Sequence, residues 1–179
     1  MMYIALLRGI NIGGHIVKME RLREIFAEMG FTNIRTYIQS GNVFFDSPQT
    51  DRAALKTTIE SHLQQSLGYE VPTFLRTIPE MEQIIALDPF QHLNITDDMR
   101  LCVVFTSEQI PSSLSLPLRS PKNDMEIIQT TEREAFVVWY LNNGRPPANH
   151  SFKELGKITT TRFFYTTVKI LHEAKKHII

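Results

Sequence analysis

The sequence predicts an α+β fold, in which a ferredoxin-like βαββαβ unit is followed by a second, partial ferredoxin-like unit packed against it. Two observations support this. Strand-like and helical patterns alternate in the order β-α-β-β-α-β over the first half of the chain, and the second half repeats part of that order. We place the units at residues 1–78 and 79–179, as one compact globule with a shared core.

Hydrophobic spacing defines the elements of the first unit. Met19, Leu22, Phe26 and Met29 recur every three or four residues, as on one face of a helix, and Gly30 follows where a helix commonly ends. Two strand-like runs joined by a short Gly-containing turn predict a hairpin. The predicted elements are strands at 3–8, 34–39, 43–45 and 71–76 and helices at 19–29 and 51–67.

Right-handed crossover connections place both helices on one face of a four-stranded antiparallel sheet. The other face needs a cover, because it is expected to carry aromatic side chains that are too apolar to remain wet. Tyr37, Phe45 and Phe74 are the candidates for these side chains. We expect the second unit to cover them, and a partner molecule is the alternative.

The second unit opens with Thr77-Ile78-Pro79-Glu80, a capping box with proline in the first turn, which predicts a helix. The stretch 111–121 is rich in Ser and Pro and holds at most a short helix. A last helix is expected over 161–176, with Thr160 or Thr161 as its N-cap. Strands are expected at 100–106, 124–129 and 135–141.

Three motifs stand out along the chain: Leu7–Gly14 (LRGINIGG), Tyr37–Val43 (YIQSGNV) and Thr160–Arg162 (TTR). Together they resemble the bacterial domain-of-unknown-function family 1697, and the similarity extends over nearly the whole chain. The resemblance implies a fold of paired ferredoxin-like units and no established activity. In the third motif, Phe163 and Phe164 replace the Asn and Trp that follow the arginine in the family.

Composition and charge disfavour several classes of protein. Lys+Arg and Asp+Glu are both 19, so the net charge is zero, whereas nucleic-acid binders usually carry a basic excess. A single cysteine cannot form an intrachain disulfide, and the amino terminus lacks the pattern of a secretory signal. We therefore expect a cytoplasmic protein without membrane contact, and nucleic-acid binding is disfavoured.

The glycine loop after the first strand is the main candidate binding site. Backbone amides in such a loop can hold an anion, and Arg8 would add a charged partner. The loop lacks the spacing of a P-loop or a dinucleotide fold, and the competing interpretation is that its glycines serve only the backbone angles of a tight turn. The candidate ligand residues here are Arg8, Gly9, Asn11, Gly13 and Gly14.

The hairpin turn offers Gln39, Ser40 and Asn42 as further polar groups, although turn chemistry alone also explains them. In a βαββαβ unit strands one and three are expected to run parallel, so this turn and the glycine loop are expected at opposite ends of the sheet. They then share a site only if the second unit folds over or a second subunit contributes. Arg35 is expected at the Arg8 end.

Arg162 is expected in the first turn of the last helix, where an arginine opposes the helix dipole and needs a negative partner. Lys169 would follow two turns later on the same face, so both join the candidate ligand residues. Cys102 lies in an apolar strand, where a buried inert thiol is expected. The carboxylate pairs Asp97-Asp98 and Glu132/Glu134 are expected to be solvated. No metal site is predicted from the six histidines, and no cofactor is predicted.

The function that these observations favour is a binding module for a small anionic or nucleotide-like ligand. One alternative is a nucleic-acid-binding ferredoxin-like domain that stacks bases on aromatic side chains. Another is a structural protein that self-associates as a homodimer through a sheet edge, with no catalytic role. Enzymatic activity is left open, because no general base is evident near a nucleophile.

Overall fold

A computed structural model describes residues 1–176 of the chain. Within this range, two antiparallel sheets and four α-helices form an α+β fold, as the sequence predicts. The chain divides into two compact units. One contains Met1–Gln83 together with the segment from Ile170 onward, and the other contains Ile84–Lys169.

The first unit contains the element order β-α-β-β-α-β that the hydrophobic spacing predicts. Its elements are β1 (Met2–Leu7), α1 (Met19–Glu28), β2 (Thr32–Tyr37), β3 (Asn42–Asp46), α2 (Arg52–Leu67) and β4 (Thr73–Arg76). The strands are arranged in the order β2-β3-β1-β4. The predicted bounds differ from the observed ones by at most two residues.

Helix α2 shows how local chemistry sets the helix ends. The Asp51 side chain accepts a hydrogen bond from the Ala54 amide at 3.1 Å, an N-cap interaction that contributes about 1 kcal/mol. Gly68 ends the helix with a φ of 83°, and its amide donates to the Gln64 oxygen at 2.9 Å. Glycine adopts this left-handed conformation without the steric penalty of a side chain.

Helices α1 and α2 cover one face of the first sheet. Leu22, Phe26 and Ile59 from the helices are in one buried cluster with Phe45 from β3. Phe45 therefore lies on the helix side, and its expected place on the opposite face is wrong. Successive strand residues alternate between faces, so Phe44 is the β3 aromatic that faces the other way, and it is also buried.

The direction of β3 decides which loops meet. It runs antiparallel to β1, with Leu6 opposite Asn42 and Met2 opposite Asp46, so the parallel orientation expected from the sequence is wrong. Since β2 is in turn antiparallel to β3, β1 and β2 run parallel to each other, as a crossover connection requires. The loop after β1 and the turn before β3 consequently lie at the same end of the sheet.

The second unit has a five-stranded antiparallel sheet in the order β6-β7-β8-β5-β9. Its strands are β5 (Met99–Thr106), β6 (Leu118–Arg119), β7 (Met125–Thr130), β8 (Glu134–Tyr140) and β9 (Thr159–Phe163). Two helices, α3 (Ile78–Ala86) and α4 (Phe164–Lys175), each cross the division between the units. The predicted capping box is present in α3, where the Thr77 amide donates to the Glu80 carboxylate at 2.7 Å.

Two segments of the second unit differ from the prediction. Thr159–Phe163 forms an edge strand paired with β5, so the last helix begins at Phe164 rather than at Thr161. Three consecutive β-branched threonines favour a strand over a helix, and this preference wins over the helical spacing that continues downstream. Leu118–Arg119 forms a short strand in the stretch expected to hold at most a short helix.

Candidate functional site

The glycine loop after β1 folds back on itself as a small hairpin. The backbone amide of Asn11 donates to the backbone oxygen of His15 at 2.8 Å. The backbone amide of His15 donates to the backbone oxygen of Ile12 at 3.1 Å. Gly13 and Gly14, between them, have φ values of 62° and 86°. Positive φ at both central residues is what a two-residue type I′ turn requires, so the turn itself explains this pair of glycines.

Asn11 joins this small hairpin to the β2–β3 turn. Its side-chain amide donates to the backbone oxygen of Gln39 at 2.6 Å, while its side-chain oxygen accepts a hydrogen bond from the Val17 amide at 2.7 Å. Asn11 has a φ of 57°, a conformation that asparagine tolerates better than most residues. One side chain thus holds both the far end of the loop and the neighbouring turn.

Gly41 allows the two segments to approach closely. Its φ is 83°, and a Cβ placed on it would lie 3.0 Å from both the Leu7 Cβ and the Ile10 Cγ1 atoms. The Leu7 amide donates to the Gly41 oxygen at 2.8 Å. A residue with a side chain would therefore push the turn away from the start of the glycine loop.

The buried side chain of Asn42 stabilises the β2–β3 turn through hydrogen bonds. It is fully buried, and its side-chain amide donates to the Tyr37 oxygen and to the Ser40 hydroxyl, both at 3.0 Å. Gln39 and Ser40 themselves are exposed. We call residues 8–14 together with residues 38–42 the loop–turn edge.

The segment before β4 supports the loop from the other side. The Arg8 amide donates to the Pro72 oxygen at 3.0 Å. The His15 ring stacks on the Tyr69 ring, with centroids 3.8 Å apart and an angle of 12° between the planes. The loop is thus anchored on two sides, while the Arg8 residue remains exposed.

Charge is distributed unevenly around the loop–turn edge. Residues 1–19 and 36–45 contain no Asp or Glu, whereas they include Arg8 and Lys18. The segments that build this edge are therefore basic in a chain whose net charge is zero. This signal is visible in the sequence once the two segments are known to be adjacent.

Arg35 lies away from the glycine loop, which corrects its expected position at the Arg8 end. It is opposite Phe44 in the β2–β3 ladder, and its guanidinium is 5.0 Å from the centre of the Phe44 ring. The same guanidinium donates to the backbone oxygens of Glu173 at 2.9 Å and Ala174 at 3.2 Å. It therefore caps the carboxyl end of α4, where a cation also interacts favourably with the helix dipole.

Arg162 and Lys169 belong to the second unit. Arg162 is buried in β9 and donates to the Thr160 hydroxyl at 2.9 Å; burial lowers its pKa to about 10. Lys169 is exposed on α4. Because Arg162 is in a strand, the expectation that the two residues share a helix face is wrong, and so is the expected N-cap role of Thr160 or Thr161.

The remaining candidate groups are the Cys102 thiol and the carboxylates that the sequence places in turns. Cys102 is fully buried, as predicted, and burial raises the pKa of its thiol. Among residues 1–176 no group of three or more His, Cys, Asp or Glu side chains is placed to hold a metal ion. Glu134 is buried and accepts a hydrogen bond from the Thr131 hydroxyl, so its expected solvation is wrong, while Asp97, Asp98 and Glu132 are exposed.

Apolar side chains at the loop–turn edge were not singled out by the sequence patterns. Ile12 and Ile38 are 68% and 46% exposed, and Ile16, just beyond the small hairpin, is 83% exposed. Ile38 also has a φ of 51°. Single apolar residues are common in sequences and on protein surfaces. These isoleucines are informative only because the fold places them at or beside the loop–turn edge.

The motifs of the loop–turn edge also identify the relatives of this chain. The sequence model of a family described as "Protein of unknown function (DUF1697)" matches residues 1–136. The chain belongs to the DUF1697 family. The resemblance seen in the sequence motifs is thereby confirmed, and the matched range of this DUF1697 protein includes the glycine loop and the hairpin turn.

The fold of this DUF1697 protein is similar to that of a conserved bacterial protein, SP0830 from Streptococcus pneumoniae. The two have a TM-score of 0.72 and 21% sequence identity, with 98% of each chain covered. At this level of identity the likeness concerns the fold alone. No curated protein matches the sequence. None of the helices formed by residues 1–176 combines the length and apolar character needed to cross a membrane.

Proposed function

We propose that this DUF1697 protein is a binding module for a small anionic or nucleotide-like ligand, held at the loop–turn edge. The observation that carries the proposal is the hydrogen bond from Asn11 to Gln39, which brings the glycine loop and the hairpin turn together. The site is then formed within the first unit and needs no second subunit.

Exposed backbone donors support the proposal. Within residues 1–176 no carbonyl accepts a hydrogen bond from the amides of Gly13 and Gly14, and both glycines are exposed at the tip of the small hairpin. Successive amides in a turn form a concavity that attracts anions. The Ser40 hydroxyl and Gln39 amide are exposed on the adjoining turn and can donate to the same ligand.

Charge supports it as well. Arg8 precedes the loop and Lys18 follows it, with no carboxylate in residues 1–19 or 36–45. An arginine can bind phosphate or carboxylate oxygens through two parallel hydrogen bonds. A local positive field on a neutral chain attracts a small anion while avoiding the general polyanion binding of a strongly basic protein.

Isothermal titration calorimetry with inorganic phosphate and adenosine monophosphate tests the proposal. We expect the intact chain to bind at least one of these probes. Arg8→Gln is expected to weaken that binding about tenfold or more, because it removes a charge-assisted contact. Lack of measurable binding of either probe by the intact chain would overturn the proposal.

Arg52→Gln is the matched control. Arg52 begins α2, which follows the far end of β3, and it forms an exposed ion pair with Glu80 at 2.7 Å. This variant loses the same charge as Arg8→Gln at the opposite end of the sheet. It is expected to bind the probes as the parent does, and an equal loss in both variants would show that only net charge matters.

We also propose a cytoplasmic location, which the single cysteine, buried and free, supports. Base stacking on the first sheet is less favoured, because Phe44, Phe45 and Phe74 are all buried there. A nucleic-acid interface of that kind needs exposed aromatic rings.

A further inference from the structure

Three isoleucines expose apolar surface beside the proposed anion site. Ile12 follows Asn11 and Ile38 precedes Gln39, so each adjoins one of the two residues joined by the 2.6 Å hydrogen bond. Their exposed fractions are 68% and 46%, and that of Ile16 is 83%. Ile12 is also the sequence neighbour of Gly13, whose amide belongs to the proposed site.

The backbone conformation and the exposure of Ile38 both suggest that this isoleucine does not serve the stability of the fold. Its φ of 51° lies in the left-handed region, where a β-branched side chain is a steric outlier. Its exposure also means that it contributes little to the core. Backbone strain of this kind is concentrated at binding sites, so it supports a contact between Ile38 and another molecule.

We infer that the ligand of the loop–turn edge carries an apolar body, a ring or short hydrocarbon group, attached to its anionic group. This inference rests on the proposed function. The anion binds the basic, amide-rich part of the edge, and the apolar body packs on the Ile12 and Ile38 side chains. A bare inorganic anion would leave these side chains in water.

Charge complementarity favours this occupant over a second copy of the chain. The segments around the isoleucines contain Arg8 and Lys18 but no carboxylate. In a symmetric dimer built on this edge, the same basic segments would face each other, which like charges disfavour. An amphipathic anion satisfies both the charge and the apolar surface with one molecule.

Calorimetric titration with methyl phosphate and phenyl phosphate tests the inference, because the two probes share an anionic group and differ in the apolar body. We expect phenyl phosphate to bind about tenfold more tightly, the order that corresponds to removing part of a phenyl ring from water. Ile38→Gly is expected to abolish most of this preference, so that the two probes bind with similar affinity.

Ile38→Gly is a suitable variant, since glycine adopts positive φ without strain, and its thermal midpoint should not fall below that of the parent. Ile95→Gly is the matched control: Ile95 is 47% exposed and lies in the second unit. It is expected to keep the full preference for phenyl phosphate.

The outcomes separate this inference from the proposed function. Equal binding of both probes, or a preference that survives Ile38→Gly, overturns the inference and leaves the anion site standing. Absence of binding by either probe overturns both. Light scattering that shows a dimer in the parent and a monomer in Ile38→Gly, with no effect on the probes, overturns the inference in favour of a second copy.

Discussion

The side-chain amide of Asn11 donates to the backbone oxygen of Gln39 at 2.6 Å, across 28 residues of sequence. This contact makes the glycine loop and the hairpin turn a single edge of the first sheet. The same side chain accepts a hydrogen bond from Val17, so it also closes the loop. The observed hydrogen bonds of Asn11 organise the residues around the proposed site, and a ligand contact by Asn11 stays a prediction.

Asn11→Ala is expected to destabilise the protein by about 1–3 kcal/mol, since two hydrogen bonds are lost and alanine is strained at positive φ. Asn11→Gly removes the same hydrogen bonds but tolerates the φ of 57°. We expect it to lie between the alanine variant and the parent in urea unfolding. An alanine variant as stable as the parent would contradict the role assigned to this side chain.

Gly41→Ala is expected to cost about 2–4 kcal/mol, because strain at positive φ is added to overpacking. The new Cβ would lie 3.0 Å from both Leu7 and Ile10. Gly68→Ala provides the control, as Gly68 has the same φ of 83° and no heavy atom within 4 Å of a Cβ. If both variants lose equal stability in thermal unfolding, the close approach of loop and turn is unimportant.

Arg35→Gln is expected to loosen the end of α4, because the guanidinium donates to the Glu173 and Ala174 oxygens. Hydrogen exchange of amides in residues 170–176 should accelerate, with a loss of about 1–2 kcal/mol in stability. Arg35→Lys keeps the charge without the two-pronged geometry, and should show an intermediate effect. Unchanged exchange in both variants would mean that the cap does not hold the helix end.

Glu80 gives a pH-dependent prediction. Burial opposes its ionisation, but hydrogen bonds from Arg52 and from the Thr77 amide outweigh burial and lower its pKa. A carboxylate whose pKa is lower in the folded state stabilises the fold above its unfolded pKa, and this contribution is lost as the pH falls through the folded pKa. Glu80→Gln should therefore be less stable than the parent at pH 7.

The difference in thermal midpoint between Glu80→Gln and the parent should shrink as the pH is lowered below the usual range of a glutamate. Glutamine can still accept the hydrogen bond of the capping box, so the comparison isolates the charge. A difference that stays constant from pH 7 to pH 3 would show that ionisation of Glu80 does not stabilise the fold.

Local patterns were sufficient to predict most of the fold. The spacing of Leu22 and Phe26, the glycine after α1 and the Thr77 capping box each act over one or two turns of chain, and each predicted element is present. Thr160–Arg162 was assigned to the last helix, but it lies in β9. The threonines favour a strand, while the apolar spacing of a helix begins directly after them. Only pairing with β5 decides between them.

The site was predicted less completely, because its geometry depends on strand direction. The candidate residues of both motifs are at the loop–turn edge, but the parallel orientation assumed for β1 and β3 separated them. Arg35 could not be assigned from the sequence, since its partners are 138 and 139 residues away. Ile38 became informative only through its φ and its exposure.

The central claim is that the loop–turn edge is one anion-binding site. The most direct test is an amide nuclear magnetic resonance titration with phenyl phosphate, followed at the amides of Gly13, Gly14 and Ser40. We predict saturable shifts of all three with a single dissociation constant, and their loss in Asn11→Ala. Shifts confined to other residues, or different dissociation constants for the glycines and the serine, would contradict the claim.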